Sequence, residues 1–436
     1  MYPYGKKLLW LCLIAAPALA QGGGKKYQNQ AEYQIYDAVT KDIAASDFAK
    51  ALADLDTWQK NYPASEFRDD RQLLYVQSYA AAKQAGKAIE AAGDLVTRQD
   101  LEASLGGPAN VIKLLFTTAT AIQQLPAPTP EQAATVDKAA RQLLVYDKKP
   151  ESLANDAWTQ VRGQLQAAAK ASLLYLALLP GAQAMQKNDC AAAETAFTKA
   201  LEDNPDSSDA AYSLGRAQLC LYKTQPDKAS AAIYEVARAI AVDSTKQASL
   251  GPFLEKLFEQ YHGKDPDGLR QLKETAAKSP LPPAGFHIPS ITEIADAKQA
   301  AFEKSNPQLA MWMKIKGALA DTNGEQYFTA NLQGTEVQGL RGVLVEAKPP
   351  CRPKELLVAV PLPDAKQPLA AEIALKLDKP LAGKPEPNAE LHWSGAPVAF
   401  NQTPFLLTME TETANIEGLS ITPCAGTVPK RPLHKK

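Results

Sequence analysis

The chain has 436 residues, 45% of them hydrophobic, which excludes global disorder and suits two or three domains. Its 47 basic and 48 acidic side chains nearly cancel, so no field of one sign points to nucleic acid or an anionic membrane surface.

Residues 1–20 have the parts of a secretory signal peptide. Lys6 and Lys7 form the positive end, Leu8 to Ala16 the apolar stretch, and Ala18-Leu19-Ala20 the small residues for cleavage before Gln21. The stretch falls short of the roughly 20 residues that span a bilayer, so cleavage is expected rather than anchoring. Cys12 lacks a small residue before it and sits mid-stretch, which argues against lipidation. No later hydrophobic run is expected to reach spanning length, so a soluble periplasmic or secreted chain results. Four cysteines then remain, Cys190, Cys220, Cys351 and Cys424. An even number in an oxidising compartment reads as bridges, with buried free thiols as the alternative.

Residues 21–30, with three consecutive glycines, read as a flexible lead-in. From 31 to 280 the pattern is helical. Tyr33, Tyr36, Val39 and Ile43 recur at three- and four-residue steps. Asp47-Phe48-x-x-Ala51-x-x-x-Leu55-x-x-Trp58 follows, closed by Tyr62-Pro63. Ser65 to Ala82 and Gly86 to Val96 form a further pair, then Val111–Leu125 and Glu131–Tyr146. Thr129-Pro130-Glu131 has a capping threonine and a first-turn proline. The apolar run Leu173–Leu179 should be buried, and Pro180-Gly181 should bend or end its helix. Ala193-x-x-x-Phe197-x-x-Ala200, closed by Asn204-Pro205, repeats the earlier spacing. Asp209–Lys223 and Ala229–Ala241 complete that unit, and Phe253–Tyr261 with Leu269–Ala277 make a last hairpin.

Small, large and small residues at four- and three-residue steps let two helices cross closely. With the following proline, this spacing resembles the tetratricopeptide (TPR) repeat of exported bacterial proteins, a unit of about 34 residues that stacks into a solenoid. The resemblance covers residues 31–280 at most. It implies a concave groove that receives a protein partner, and it implies no catalysis. Gly215 stands where the family prefers glycine at a close helix approach. One TPR subclass grips a C-terminal carboxylate with paired Lys and Asn. Here those positions hold Asp70, Leu73 and Gln77, then Asp209, Tyr212 and Arg216, so that clamp is not expected. The first helices of each pair nominate Leu73, Gln77, Tyr212 and Arg216 as partner-facing. The structural alternative packs them against the next repeat. The repeat reading also chooses a cysteine pairing. Pro205 is midway between Cys190 and Cys220, which places them on facing helices and leaves Cys351 to Cys424.

Residues 281–307 read as a linker with a short amphipathic helix, Ile291–Lys304. Residues 308–425 read as a small all-β barrel or sandwich, with an OB-like barrel as one candidate. Period-two alternation marks strands at Met311–Lys316, Tyr327–Leu332, Ile373–Asp378 and Phe405–Glu410. Val343–Val345 and Leu356–Val360 read as central strands. Asp321-Thr322-Asn323-Gly324 reads as a hairpin turn. Residues 426–436 form a basic tail.

Four histidines, His262, His287, His392 and His434, show no metal spacing, and neither a nucleophile elbow nor a phosphate loop occurs. No enzyme activity, cofactor or metal is expected. Trp312 and Trp393 could stack on a sugar or pack in a core. The functional expectation is an exported scaffold for protein–protein interaction in the cell envelope. The alternative assigns glycan or peptide binding to the β-domain.

Overall fold

The computed structural model describes residues 24–363 and 368–424. The expected signal peptide and basic tail lie outside the described residues. The chain forms two compact units, the first ending at Ile288 and the second starting at Pro289.

The first unit is helical. Helices α1 (Gln30–Ala44) and α2 (Phe48–Asn61) form one hairpin, and α3 (Arg68–Ala81) and α4 (Ala85–Ala92) the next. A short α5 (Leu101–Leu105) precedes α6 (Pro108–Ala121) and α7 (Pro130–Val145). The long α8 (Asn155–Gln186) leads to α9 (Cys190–Asp203), α10 (Ser208–Leu221), α11 (Lys228–Val242), α12 (Gln247–His262) and α13 (Pro266–Ala276).

One turn recurs three times. Ser46, Lys83 and Asn188 each take positive φ, at 59°, 60° and 57°, between two helices. In each turn the next residue's amide returns to a carbonyl five residues back: Asp47 to Asp42, Gln84 to Tyr79, Asp189 to Ala184. Asp47 and Asp189 then cap α2 and α9 through their carboxylates. The residues ending these helices also match, Tyr62 at φ −133° and Asn204 at φ −136°, each before a proline. Between those ends Ala51, Leu55 and Trp58 are buried in α2, and Ala193, Phe197 and Ala200 in α9. The small-large-small pattern is the buried stripe of each helix.

Four expectations for this unit are corrected. The lead-in is tied down from Lys25 onward. Lys25 Nζ donates to Asp70 at 2.5 Å and to the Ser104 carbonyl at 2.6 Å, and Tyr27 stacks on Phe67 with centroids 4.2 Å apart. Pro180 does not end its helix: α8 runs through it to Gln186, and Gly181 beside it leaves room for the Phe197 ring. The continuous helix is therefore long and apolar enough to cross a membrane by length and composition, contrary to the expectation for residues after the signal. Trp158, Leu165 and Ala169 nevertheless anchor its first half to the helical core, while Leu173–Leu179 are only half-buried. The unit also extends past 280, because Phe286 and Ile288 pack on α11 and the Ile288 amide donates to Ser230 at 2.8 Å.

The second unit begins with α14 (Ile291–Ser305) and α15 (Pro307–Ala320), then α16 (Gly324–Tyr327) and a wide turn through Leu332. The strands expected at Met311–Lys316 and Tyr327–Leu332 are thus helical, and Asp321–Gly324 joins two helices. Pro307 opens α15, and Trp312, Ile315 and Leu319 are its buried face at helical spacing. The β-elements are β1 (Val337–Lys348), β2 (Glu355–Ala359), β3 (Ile373–Leu377), β4 (Lys384–Pro385), β5 (Glu390–Gln402), β6 (Phe405–Thr411), β7 (Ile416–Glu417) and β8 (Ile421–Thr422). β1 pairs with both β2 and β5, β2 with β3, β3 in parallel with β6, and β6 with β5, closing a five-stranded barrel. The β3–β6 pair is the one parallel pairing among the described strands of this ring. Leu340, Leu344, Leu356, Val358, Ile373, Leu375, Leu391, Leu407 and Met409 fill the interior with Trp312 and Trp393.

Both expected disulfides are present. Cys190 pairs with Cys220 across α9 and α10, with Cα atoms 5.9 Å apart. Cys351 pairs with Cys424 at 6.1 Å.

Candidate functional site

A cleft of about 130 Å³ opens on the first unit between the end of α1, the start of α2, α3 and α6. Ile43, Phe48, Ala80 and Phe116 give it apolar lining, and Gln77, Lys113, Thr117 and Gln124 give it polar lining. Helical periodicity explains the arrangement. Gln77, Ala80 and Ala81 bring the last turns of α3 to the cleft, while Leu73, one turn earlier on the same face, is buried in the core with Val76. Thr120 spends its hydroxyl proton on the Phe116 carbonyl at 2.8 Å, so its methyl and oxygen are what it adds to the wall. Such a surface recognises an apolar anchor side chain and the backbone around it, not a strong charge.

The nominated residues separate. Gln77 lines the cleft and is half-buried. Leu73 is 3% exposed and packs with Val76 and Leu95, so it offers a partner no surface and leaves the set. Tyr212 is half-buried between two core clusters of α9–α13, whereas Arg216 on the same helix is exposed. Asp70 is consumed by Lys25; burial pushes its carboxyl up and the lysine partly offsets this.

Gly215 meets its expectation of close approach. A Cβ there would lie 3.2 Å from both the Ala232 carbonyl and Glu235 Cβ, so α10 and α11 nearly touch. This contact holds a feature that sequence reasoning missed. Glu235 is fully buried, and neither carboxylate oxygen has a hydrogen-bond partner. Burial pushes its pKa up to about 9, against the pull of Arg238 one turn on. Arg238 cannot reach it as a fork, because its Nη atoms are held by the carbonyls of Ala276, Ala277 and Pro205. Its flanks, Ala232, Ile233, Val236 and Ala237, were the available signal of burial.

Trp312 and Trp393 are 1% and 2% exposed, so neither can stack on a sugar. Trp312 donates its ring N–H to Glu372 at 2.9 Å. His262 ends α12 and contacts Asp265, the N-cap of α13, at 3.3 Å, a capping arrangement. Among the described residues no three His, Cys, Asp or Glu side chains converge as metal ligands. Compared with protein-family models and with curated proteins, the chain matches none.

Proposed function

We propose that the protein is an exported scaffold of the cell envelope. In this reading the helical unit is a TPR-like solenoid that holds a partner protein through the α1–α3–α6 cleft, with Arg216 and Tyr212 extending the surface along α10. The observation that carries it is the threefold repetition of one interhelical turn, at Ser46, Lys83 and Asn188, beside a cleft built from the first helices of successive pairs. Stacked hairpins generate extended concave surfaces whose use is protein recognition. Export is supported by the two disulfides, which persist in oxidising compartments.

The test is a photo-crosslinking residue at Gln77, compared with one at exposed Lys60 on α2. A discrete adduct from position 77, absent from position 60 and lost when Thr117→Trp fills the cleft, supports the reading. Adducts that ignore both controls refute it. A second reading gives the binding to the β-domain; an open cleft on its outer wall favours it.

A further inference from the structure

That cleft, of about 500 Å³, lies wholly within the second unit, between the outer faces of β1 and β5 and the start of α15. Register places its polar groups. Arg341 sits directly opposite His392, and Val343 opposite Glu390, on antiparallel strands. Side chains alternate along a strand, so Leu340, Leu391 and Trp393 point into the barrel and Arg341, His392 and Glu390 point out together. Arg341 and His392 are therefore cross-strand neighbours, with Glu390 on the diagonal, roughly 7 Å away. None of the three side chains makes a hydrogen bond or ion pair with a described residue.

The facing helix adds donors of its own. α15 starts without a side-chain cap, because the Asn306 amide is turned back to the Phe302 carbonyl at 3.3 Å. Gln308 and Leu309, in its first turn, line the same cleft, and their N–H groups have no intrahelical acceptor. The site thus offers a planar guanidinium, an imidazole and helix-terminal amides for an oxyanion, with Glu390 beside them and Glu417 opposite His392 on β7. Glu390 disfavours a dianion such as phosphate and favours a ligand that carries a donor cation next to its acid.

We propose that this cleft binds a small zwitterion, a free amino acid or short peptide. Arg341, His392 and the first-turn amides of α15 hold its carboxylate, and Glu390 holds its ammonium. The assignment deepens the second reading of function and is independent of the helical cleft.

The experiment measures binding of alanyl-alanine to the full chain by ligand-observed NMR, beside its C-terminal amide, its N-acetyl form and N-acetylglucosamine. Amidation, or Arg341→Gln, is expected to weaken alanyl-alanine binding roughly ten- to hundredfold, the cost of losing a charged hydrogen bond. N-acetylation should weaken it as well, and Glu390→Gln should erase the difference between the acetylated and free peptides. Equal binding of acid and amide, or Arg341→Gln without effect, overturns the assignment. Saturable binding of N-acetylglucosamine without alanyl-alanine binding overturns the ligand class while leaving the β-domain reading intact. Binding of no probe overturns both.

Discussion

Glu235 makes the stability of the helical unit depend on pH with a sign opposite to that of an ordinary carboxylate. The ordinary pKa is 4.5, and the folded protein holds it at about 9. Below the lower value both folded and unfolded chains carry the proton, and Glu235 adds no pH slope. Between the two values the unfolded chain releases the proton while the folded chain keeps it, so stability falls as pH rises. At 1.36 kcal/mol per pH unit, the loss is about 3 kcal/mol by pH 7 and about 6 kcal/mol by pH 9, an order-of-magnitude figure. Most single domains have only about 5–15 kcal/mol to lose.

The perturbation is Glu235→Gln, which keeps the shape and removes the titration. Urea unfolding followed by helical circular dichroism would be run on both proteins at about pH 5 and about pH 9. The variant should gain on the parent by several kcal/mol across that range. A stability difference that is the same at both pH values refutes the reasoning. It would mean that the carboxylate ionises in the fold, by water entry or by a shift of Arg238 off its carbonyls. Glu235→Met should likewise stabilise at neutral pH, since an apolar side chain of similar length ends the burial of an unpaired acid.

Reduction, or replacement of either cysteine pair by alanine, should cost about 3–4 kcal/mol each on loop-closure grounds; the bridges close sequence separations of 30 and 73 residues. Peptide mapping under non-reducing conditions checks the pairing, and denaturation the magnitude. Gly181→Ala should lower the melting temperature, because its Cβ would stand 2.5 Å from the buried Phe197 ring; overpacking of this kind costs about 1–3 kcal/mol. Trp58→Phe should cost about 1–3 kcal/mol beyond any packing change. It removes the ring N–H that donates to fully buried Glu32 at 3.0 Å, and unfolding curves at neutral pH read the loss.

The helical unit was legible because its constraints are local. A buried crossing demands small and large residues at fixed steps, as in Ala51-Leu55-Trp58 and Ala193-Phe197-Ala200, and in two of the three recurring turns a capping aspartate marks the next helix. Thr129 and Gln132 even form the expected cap reciprocally, as a capping box. The lead-in was not legible, since Lys25 finds Asp70 and Ser104 only after three helices have packed. That α8 runs on through Pro180 instead of ending there was not legible for a similar reason. Its cost is local, whereas the compensation is the Phe197 ring under Gly181, supplied by another helix.

The β-unit marks where pattern alone divides two periods poorly. Met311, Met313 and Ile315 alternate, yet Trp312, Ile315 and Leu319 are the buried face, and a six-residue window fits either period. Asn306-Pro307, a helix start, was the better signal. The long β5 was missed for the opposite reason. Ser394-Gly395-Ala396-Pro397 lacks alternation, and it is a strand because β1, β6 and β7 pair along it, with the register shifting beyond Pro397. The cleft residues share that origin. Arg341 and His392 are distant in sequence and unremarkable singly, and only the β1–β5 register makes them neighbours. Closure of the barrel therefore does more than bury Trp393. By fixing that register, it sets the one row on the outer wall where a guanidinium, an imidazole and, through β7, the Glu417 position stand abreast. A register slip of one residue would reverse every side chain and remove the cleft together with the core.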